Sequence, residues 1–149
     1  MTDDNYIKAA LEEARKAAIR DEVPIGAVLV HRASGEIAAA DGNRTLELND
    51  PTAHAEILVI REICRKTGAQ RIPEYDLYVT LEPCAMCAAA ISFARLGRVV
   101  FGALDPKGGG VLHGGQFYTQ PTCHHRPEAQ HFDMPDCGQI LRDYFKGKR

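Results

Sequence analysis

Residues 80–91 read T-L-E-P-C-A-M-C-A-A-A-I, and this stretch connects an apolar strand to an alanine-rich helix. The preceding D-L-Y-V-T-L pattern, residues 76–81, is typical of a strand. Pro83 fits the first turn of the following helix, because the missing N–H of proline has no partner to lose there. Cys84 and Cys87 are three residues apart and should share one face of that helix. These features predict a strand–helix unit with paired thiols at the start of the helix.

The rest of the chain alternates strand-like and helical segments. The patterns predict the order α-β-β-α-β-α-β-loop-α, with helices near 5–20, 50–68, 84–95 and 136–146, and strands near 25–30, 36–40, 76–81 and 98–103. Residues 104–135 are rich in turn residues and are predicted to be mostly loop, with room for one short strand. We therefore expect an α/β fold in a single domain, 1–149, whose sheet is mostly parallel after a first hairpin.

The composition is that of a soluble globular protein without a strong charge bias. The 149 residues carry a formal net charge of −2, so any nucleic-acid binding must come from a local basic patch. The five cysteines are odd in number and irregularly spaced, which argues against a disulfide framework. The N-terminus lacks signal-peptide features, and no apolar run approaches the roughly 18 residues of a membrane span. These observations predict a cytoplasmic protein that does not enter a membrane.

A second motif can complete a metal site. Residues 52–56 read T-A-H-A-E, and His54 with Cys84 and Cys87 makes three good zinc ligands. Three protein ligands leave a fourth position for water, as in catalytic zinc sites. Glu56 would lie about 200° around a regular helix from His54, so the two converge only if His54 occupies the cap. Glu56 is then predicted to be a general acid/base.

Three other interpretations of these residues stay open at this point. The C-x-x-C pair could be redox-active, although no thioredoxin-like aromatic precedes it. A closed structural zinc site could take its fourth ligand from the C-H-H cluster at 123–125, but that leaves Glu56 without a role. His54 could also be an ordinary residue at a helix cap.

The combination H-A-E at 54–56 and P-C-A-M-C at 83–87 resembles the signature of zinc-dependent nucleobase deaminases. Residues 20–105 are similar to bacterial tRNA adenosine deaminases in particular. The segments that carry this similarity are V-P-I-G-A-V-L-V at 23–30, G-N-R-T at 42–45, D-P-T-A-H-A-E-I at 50–57, L-Y-V-T-L-E-P-C-A-M-C-A-A-A-I at 77–91 and R-V-V-F-G-A at 98–103. The terminal R-D-Y-F-K-G-K-R also resembles the C-terminal helix of that family, whereas residues 114–135 depart from its pattern.

The resemblance implies a cytidine deaminase-like fold, a three-layer α/β/α sandwich around a five-stranded mixed sheet. It implies a homodimer that converts adenosine to inosine at the wobble position of a tRNA anticodon. It also implies that Zn²⁺ is held by His54, Cys84 and Cys87, and that Glu56 shuttles protons.

Five further residues are candidate substrate contacts. The resemblance places Asn43 on the flipped base and Asp105 near the ribose and backbone of the target loop, and Lys107 follows Asp105 in the same loop. Tyr144 and Phe145 lie among basic residues, a composition that suits single-stranded RNA. Each has a simpler alternative, since Asn43 could be a turn residue, Asp105 a loop cap, and the C-terminus a solvated basic tail with Phe145 in the core.

Two competing functions remain at this stage. The active-site motif does not distinguish a deaminase of adenosine in tRNA from a deaminase of guanine, cytosine or dCMP. The shape of the substrate pocket sets that choice. The basic, aromatic C-terminus favours RNA. A non-catalytic, zinc-stabilised RNA-binding module would instead need a closed four-ligand site and no role for Glu56.

Overall fold

The computed structural model of the protein describes residues 1–148. Arg149, part of the basic C-terminal stretch, lies outside the described residues. The prediction of a single domain over 1–149 stays a prediction. No helix within the described part of the chain is both long enough and apolar enough to cross a membrane.

Five strands of the described chain form one central mixed sheet. In chain order they are β1 (Gly26–His31), β2 (Ile37–Gly42), β3 (Tyr75–Val79), β4 (Arg98–Phe101) and β5 (Glu128–His131). The order across the sheet is β2-β1-β3-β4-β5. Strand β1 is antiparallel to both of its neighbours, whereas β3, β4 and β5 are parallel, as the alternation of strands and helices predicted.

Helices cover both faces of this sheet. Between residues 1 and 148 the α-helices are α1 (Asp3–Ile19), α2 (Ala55–Thr67), α3 (Ala85–Phe93) and α4 (Pro135–Lys146). Helices α1 and α4 pack on one face, and α2 and α3 pack on the other. The predicted three-layer α/β/α sandwich is therefore confirmed.

Strand β1 is apolar from Gly26 to Val30 because both of its faces are buried there. Ala27 and Leu29 point into the core beneath α2 and α3, while Val28 and Val30 point into the core beneath α1. A strand buried on both faces needs apolar residues at every position rather than an alternating pattern. Gly26 begins the strand where α1 packs so closely that a Cβ there would lie 2.0 Å from a backbone oxygen.

The sheet brings the ends of three strands to one edge. Strands β2 and β3 run in the same direction because β1 lies antiparallel between them, and β4 is parallel to β3. Gly42, Val79 and Phe101, the last residues of these strands, therefore lie near one another. The connections that leave them carry nearly every predicted site residue, as expected for the carboxyl ends of strands in an open sheet.

Several predicted boundaries are wrong, and the local contacts explain them. Helix α2 begins at Ala55, because Asp50 Oδ1 accepts hydrogen bonds from the N–H and hydroxyl of Thr52 and closes a turn ahead of the helix. Pro83 lies before α3 rather than in its first turn, since Cys84 is the N-cap. Helix α4 starts at Pro135, one residue earlier than predicted. The short strand for which residues 104–135 left room is β5, and a short 3₁₀ turn precedes it in the same segment.

Candidate metal centre and substrate cleft

The three predicted zinc ligands meet at the starts of two helices. His54 is the N-cap of α2, and Cys84 is the N-cap of α3 with Cys87 one turn further on. The Nδ1 atom of His54 lies 3.7 Å from Sγ of Cys84 and 3.5 Å from Sγ of Cys87. All three ligand atoms lie within 4.8 Å of one another.

These distances fit zinc. Zn–S and Zn–N bonds of about 2.3 and 2.1 Å in a tetrahedron place nitrogen and sulfur about 3.6 Å apart. The two measured separations, 3.5 and 3.7 Å, bracket that value. One imidazole and two thiols form the donor set of catalytic zinc sites with three protein ligands.

The closed four-ligand alternative finds no support in the geometry, whereas His54 does occupy a helix cap, without a capping hydrogen bond from its side chain. Cys123 is buried in the core, where its thiol faces the carbonyl oxygen of His125 and the hydroxyl of Ser92. The His125 ring donates instead to the backbone oxygen of Leu96. Within residues 1–148, the metal-ligand cluster contains no residue beyond His54, Cys84 and Cys87, so the C-H-H segment supplies no fourth ligand.

Glu56 lies in the first turn of α2, two residues after His54. His54 has extended backbone angles, φ −74° and ψ 153°, and this removes the 200° separation that a continuous helix would impose. The Glu56 side chain is buried, and its Oε1 atom has no hydrogen-bond partner among residues 1–148. A buried carboxylate oxygen without a partner is costly, which indicates a group normally paired with something that binds here.

The electrostatics of the cluster follow from its burial. Loss of hydration raises the pKa of Glu56 to about 7. A hydrogen bond from the Cys87 thiol lowers the pKa of Cys84 to about 4, and that bond in turn raises the pKa of Cys87. The hydrogen bond with Cys84 raises the pKa of His54. The cluster therefore holds negative charge on sulfur, as a metal cation requires.

Asn43 follows β2 and is buried beside the start of α2. Its Oδ1 atom accepts a hydrogen bond of 2.8 Å from the backbone N–H of Ala55. An N–H group can only donate, so this contact fixes which end of the amide faces the helix. The opposite end, the Nδ2 amide group, is then available as a donor. Asn43 is also held by the Arg20 guanidinium, which donates to its backbone oxygen.

An open cleft of about 770 Å³ lies at the same edge of the sheet. Its lining residues come from the α1–β1 turn, the ends of β3 and β4, and α4; they are Val23, Ile25, Leu81, Ala103, Leu104, Asp105, Lys107, Gly138, Leu141, Arg142, Phe145 and Lys146. Leu81 is three residues before Cys84 in the chain, but the lining includes none of the three metal ligands and neither Glu56 nor Asn43. The cleft combines apolar walls with three basic side chains, a mixture that suits single-stranded nucleic acid.

The cleft loop, residues 103–113, carries Asp105 and Lys107. Asp105 Oδ1 accepts hydrogen bonds from the backbone N–H groups of Lys107 and Gly108, so the simpler loop-cap role of Asp105 is present. Asp105 also lines the cleft, and the two roles coexist.

Beneath this loop lies Glu82, a buried carboxylate that sequence analysis did not single out. Burial would raise the pKa of Glu82, but hydrogen bonds from His113 and from backbone amides lower it below its ordinary value.

The two aromatic residues of α4 occupy different positions. Phe145 lines the cleft and is 48% exposed, so it is not a core residue. Tyr144 is not among the lining residues, and its hydroxyl donates to the backbone oxygen of Asp21 at 3.1 Å. Lys148 pairs with the carboxylate of the same Asp21. The geometry brings Phe145 to the cleft and places Tyr144 at the joint between α4 and the α1–β1 turn.

Comparison with known proteins supplies the family. The family described as the cytidine and deoxycytidylate deaminase zinc-binding region matches residues 1–103. A tRNA-specific adenosine deaminase of Agrobacterium fabrum is 57% identical over 146 residues, covering 97% of this chain and 95% of the relative. This chain belongs to the tRNA-specific adenosine deaminase family. The corresponding protein of Aquifex aeolicus is 41% identical over 144 residues, covering 97% and 94% of the two chains.

A solved structure agrees with this assignment to the tRNA-specific adenosine deaminase family. It comes from a study of A-to-I editing by tRNA:A34 deaminases at the wobble position of transfer RNA. It superposes with a TM-score of 0.89 at 57% identity, covering 93% of this chain and 99% of the other. The predicted family and the cytidine deaminase-like fold are confirmed. The predicted cofactor, Zn²⁺, is also confirmed, because the matched zinc-binding region contains the His/Cys/Cys cluster.

Proposed function

We propose that this chain hydrolytically deaminates adenosine to inosine at the wobble position of a tRNA anticodon. The observation that carries the proposal is the buried Glu56 carboxylate, whose Oε1 atom has no hydrogen-bond partner, beside a three-ligand zinc cluster. The family relatives support the choice of adenosine in tRNA over guanine, cytosine or dCMP.

In this proposal His54, Cys84 and Cys87 hold the zinc ion through Nδ1 and the two Sγ atoms. When bound, zinc would supply a water acidified enough to serve as a nucleophile near neutral pH. The three ligands come from the rigid starts of α2 and α3, so their separation is set by the packing of the two helices rather than by a flexible loop.

Glu56 is the proposed general acid/base. Its pKa, raised by burial to about 7, lets the carboxylate both accept and return a proton near neutral pH. Through Oε1, it would accept a proton from water and deliver it to N1 of adenine. It would then take the remaining proton from the hydroxyl group added at C6 and deliver it to the amino group, which leaves as ammonia. Its burial also keeps bulk water from competing for those protons.

Asn43 is the proposed contact to the flipped base. Because its Oδ1 atom faces the Ala55 N–H, the side chain presents its Nδ2 amide group as a donor to a ligand. An amide donor complements the ring-nitrogen acceptors of adenine. The backbone hydrogen bond from Arg20 holds the residue in this position.

The remaining contacts lie along the cleft. We assign Lys107, Arg142 and Lys146 to the phosphates of the anticodon loop, and Phe145 to stacking on a splayed base. Asp105 would contact the ribose or backbone of the same loop. Tyr144 contributes to RNA binding by holding α4 against the α1–β1 turn, through the bond to Asp21. An anticodon loop presents bases that are already single-stranded, which lowers the cost of extruding one of them.

A homodimer in the cytoplasm completes the proposal. Phe93, at the C-terminal end of α3, is 68% exposed, and we assign this side chain to the subunit interface. Ala88 and Ile91 of the same helix are buried in the core, so in this proposal only the C-terminal end of α3 contacts the second subunit. Light scattering of the wild-type protein tests the dimer, and a Phe93→Ser variant should shift it towards monomer.

Cytoplasmic localisation, expected for an enzyme of tRNA, is tested by cell fractionation.

The deciding experiment for the activity is inosine formation in tRNA. Zinc-loaded protein is incubated with a tRNA pool, with an isolated anticodon stem–loop, and with free adenosine, guanine and cytidine. We expect inosine at the wobble position of tRNA and little turnover of the free compounds. Preferred turnover of guanine or cytidine would support the competing deaminases, and RNA binding without any turnover would support a non-catalytic module.

A further inference from the structure

Glu82 is a buried carboxylate that the proposed chemistry does not use. It follows β3 and precedes the turn that carries Cys84, and it is only 2% exposed. Its Oε1 atom accepts hydrogen bonds from the N–H of Asp105 at 3.1 Å and from His113 Nδ1 at 2.8 Å. Its Oε2 atom accepts three more, from the backbone N–H groups of Val111 (3.2 Å), Leu112 (2.9 Å) and His113 (3.0 Å).

All five donors belong to the cleft loop. A single carboxylate therefore bonds both ends of this loop, at Asp105 and at residues 111–113. Hydrogen bonds to an ionised acceptor are about twice as strong as neutral ones, and burial removes water as a competitor. The loop has no regular secondary structure of its own. The Glu82 carboxylate therefore accepts backbone hydrogen bonds that a neighbouring strand would accept in a sheet.

The same loop also packs directly on the metal-bearing turn. The N–H of Gly110 donates to the backbone oxygen of Pro83 at 2.8 Å. A Cβ at Gly109 would lie 2.4 Å from Glu82 Oε2, and one at Gly110 would lie 2.7 Å from the backbone nitrogen of Ala85. Only glycine permits this approach, which explains the G-G-G run at 108–110. The cleft loop therefore packs against Pro83 and Ala85, the residues that flank Cys84.

We propose that Glu82 is a positioning residue that fixes the cleft loop against the metal-bearing turn and thereby sets where Asp105 and Lys107 meet the RNA. This inference rests on the proposed function for its substrate. The loop position itself is a property of the protein alone, so it can be measured without turnover. Glu82 acts through the loop and does not touch the substrate.

A purely structural carboxylate would behave differently, and the chain offers one for comparison. Asp76 lies at the opposite end of β3, is also buried, and pairs with Arg32 through hydrogen bonds of 2.9 and 3.3 Å. Asp76→Asn makes the same change of carboxylate to amide, far from the cleft. It should lower the melting temperature and leave substrate binding unchanged.

The experiment compares Glu82→Gln, Asp76→Asn and wild type, each zinc-loaded and full-length. For Glu82→Gln we expect zinc content near wild type, kcat within about three-fold, and KM for the stem–loop raised about ten-fold. A double-mutant cycle then combines Glu82→Gln with Lys107→Ala and measures the effect of each substitution on KM. If Glu82 acts by placing Lys107, the cost of losing Lys107 should shrink in the Glu82→Gln background, whereas additive effects would overturn the proposal.

Hydrogen exchange gives a readout independent of activity. Glu82→Gln should speed exchange at the amides of residues 111–113 while amides within α3 stay protected. His113→Ala, which removes one of the five hydrogen bonds from a part-exposed side chain, provides a milder variant should Glu82→Gln fold poorly. Unchanged exchange at 111–113, or a KM that responds equally to Asp76→Asn, would overturn the proposal. Absence of inosine with wild type would instead refute the proposed function, and the exchange data would still decide the role of Glu82.

Discussion

The Nδ1 atom of His54 lies 3.5 Å from the Sγ atom of Cys87, although 33 positions separate the two residues in the chain. The sheet explains this proximity, since β2 and β3 run in the same direction and end at the same edge. Helices α2 and α3 begin beyond that edge, and each presents its first residues to the other. The metal centre is thus a consequence of strand order rather than of a local motif.

Removal of one thiol should remove the metal. Cys87→Ala leaves two of the three ligands, and we expect zinc to fall from about one per chain to near zero, with inosine formation lost. Zinc is measured by plasma mass spectrometry on purified protein. Cys123→Ala is the matched control because Cys123 is equally buried but lies outside the ligand cluster. Normal zinc content in Cys87→Ala would contradict the assignment of Cys87 as a ligand.

Glu56→Gln should separate metal binding from turnover. The substitution keeps the size of the side chain and leaves His54 and the cysteines untouched, so we expect zinc content to stay near wild type. The rate of inosine formation should fall by about 10²–10⁴, the usual range for loss of a general acid/base. Single-turnover assays on the stem–loop measure the chemical step directly. A variant with normal turnover would leave the unpartnered Oε1 atom without the proposed role.

The sequence predicted those parts of the fold and the site that depend on local patterns. Apolar runs located every strand except β5, whose sequence E-A-Q-H at 128–131 has only one apolar residue because the strand lies at the sheet edge, half-exposed. The metal ligands were predictable because zinc chemistry restricts residue type and spacing. The cap position of His54 was also anticipated, since no other placement lets Glu56 approach it.

Long-range contacts account for what the sequence could not provide. Glu82 looks like an ordinary charged residue between a strand and a helix, and its five donors lie 23 to 31 positions later in the chain. The separate positions of Tyr144 and Phe145 depend on Asp21, more than 120 residues earlier. The one signal that could have revealed the Glu82 contact is the glycine run at 108–110, which indicates close backbone packing.

The two aromatic residues of α4 should respond differently to substitution. Phe145→Ala removes a stacking surface from the cleft and should weaken stem–loop binding by about 1–3 kcal/mol. Tyr144→Phe keeps the ring and removes only the hydroxyl bond to Asp21, so a smaller loss of affinity is expected. Fluorescence titration with labelled RNA compares the two variants. If Tyr144→Phe weakens binding as much as Phe145→Ala, the assignment of stacking to Phe145 alone is wrong.

Basic side chains of the cleft should set the salt dependence of binding. Arg142 and Lys146 both line the cleft, and replacing both with glutamine should reduce the slope of log affinity against log salt by about 1.4. Binding is measured at several potassium chloride concentrations. Lys66→Gln serves as control because Lys66 lies at the far end of α2 and pairs with Glu62. An equal change of slope in the control would show that the effect is one of net charge alone.

The junction of α1 with the sheet should carry a pH-dependent part of the stability. Asp3 accepts two hydrogen bonds from Arg98, at 3.0 and 2.9 Å, and one from the hydroxyl of Tyr78 at 2.6 Å. The hydrogen bonds from Arg98 lower the pKa of Asp3, despite the opposing effect of burial. A lowered folded-state pKa stabilises the fold above the unfolded-state pKa, and that stability is lost as pH falls through the folded value.

Asp3→Asn should therefore cost about 1 kcal/mol of unfolding free energy at pH 7, since the ion pair is partly exposed. The difference from wild type should persist down to about pH 5 and narrow below about pH 4, where the unfolded-state carboxylate takes up a proton. It should close as pH falls through the lower folded-state pKa of Asp3. Urea unfolding across this range measures the gap. Asp4→Asn is the control, because Asp4 shares the first turn of α1 but pairs only with exposed Lys8. The difference in unfolding free energy could also stay constant to pH 3, or be equally large for Asp4→Asn. Either result would show that the ion pair with Arg98 is not its source.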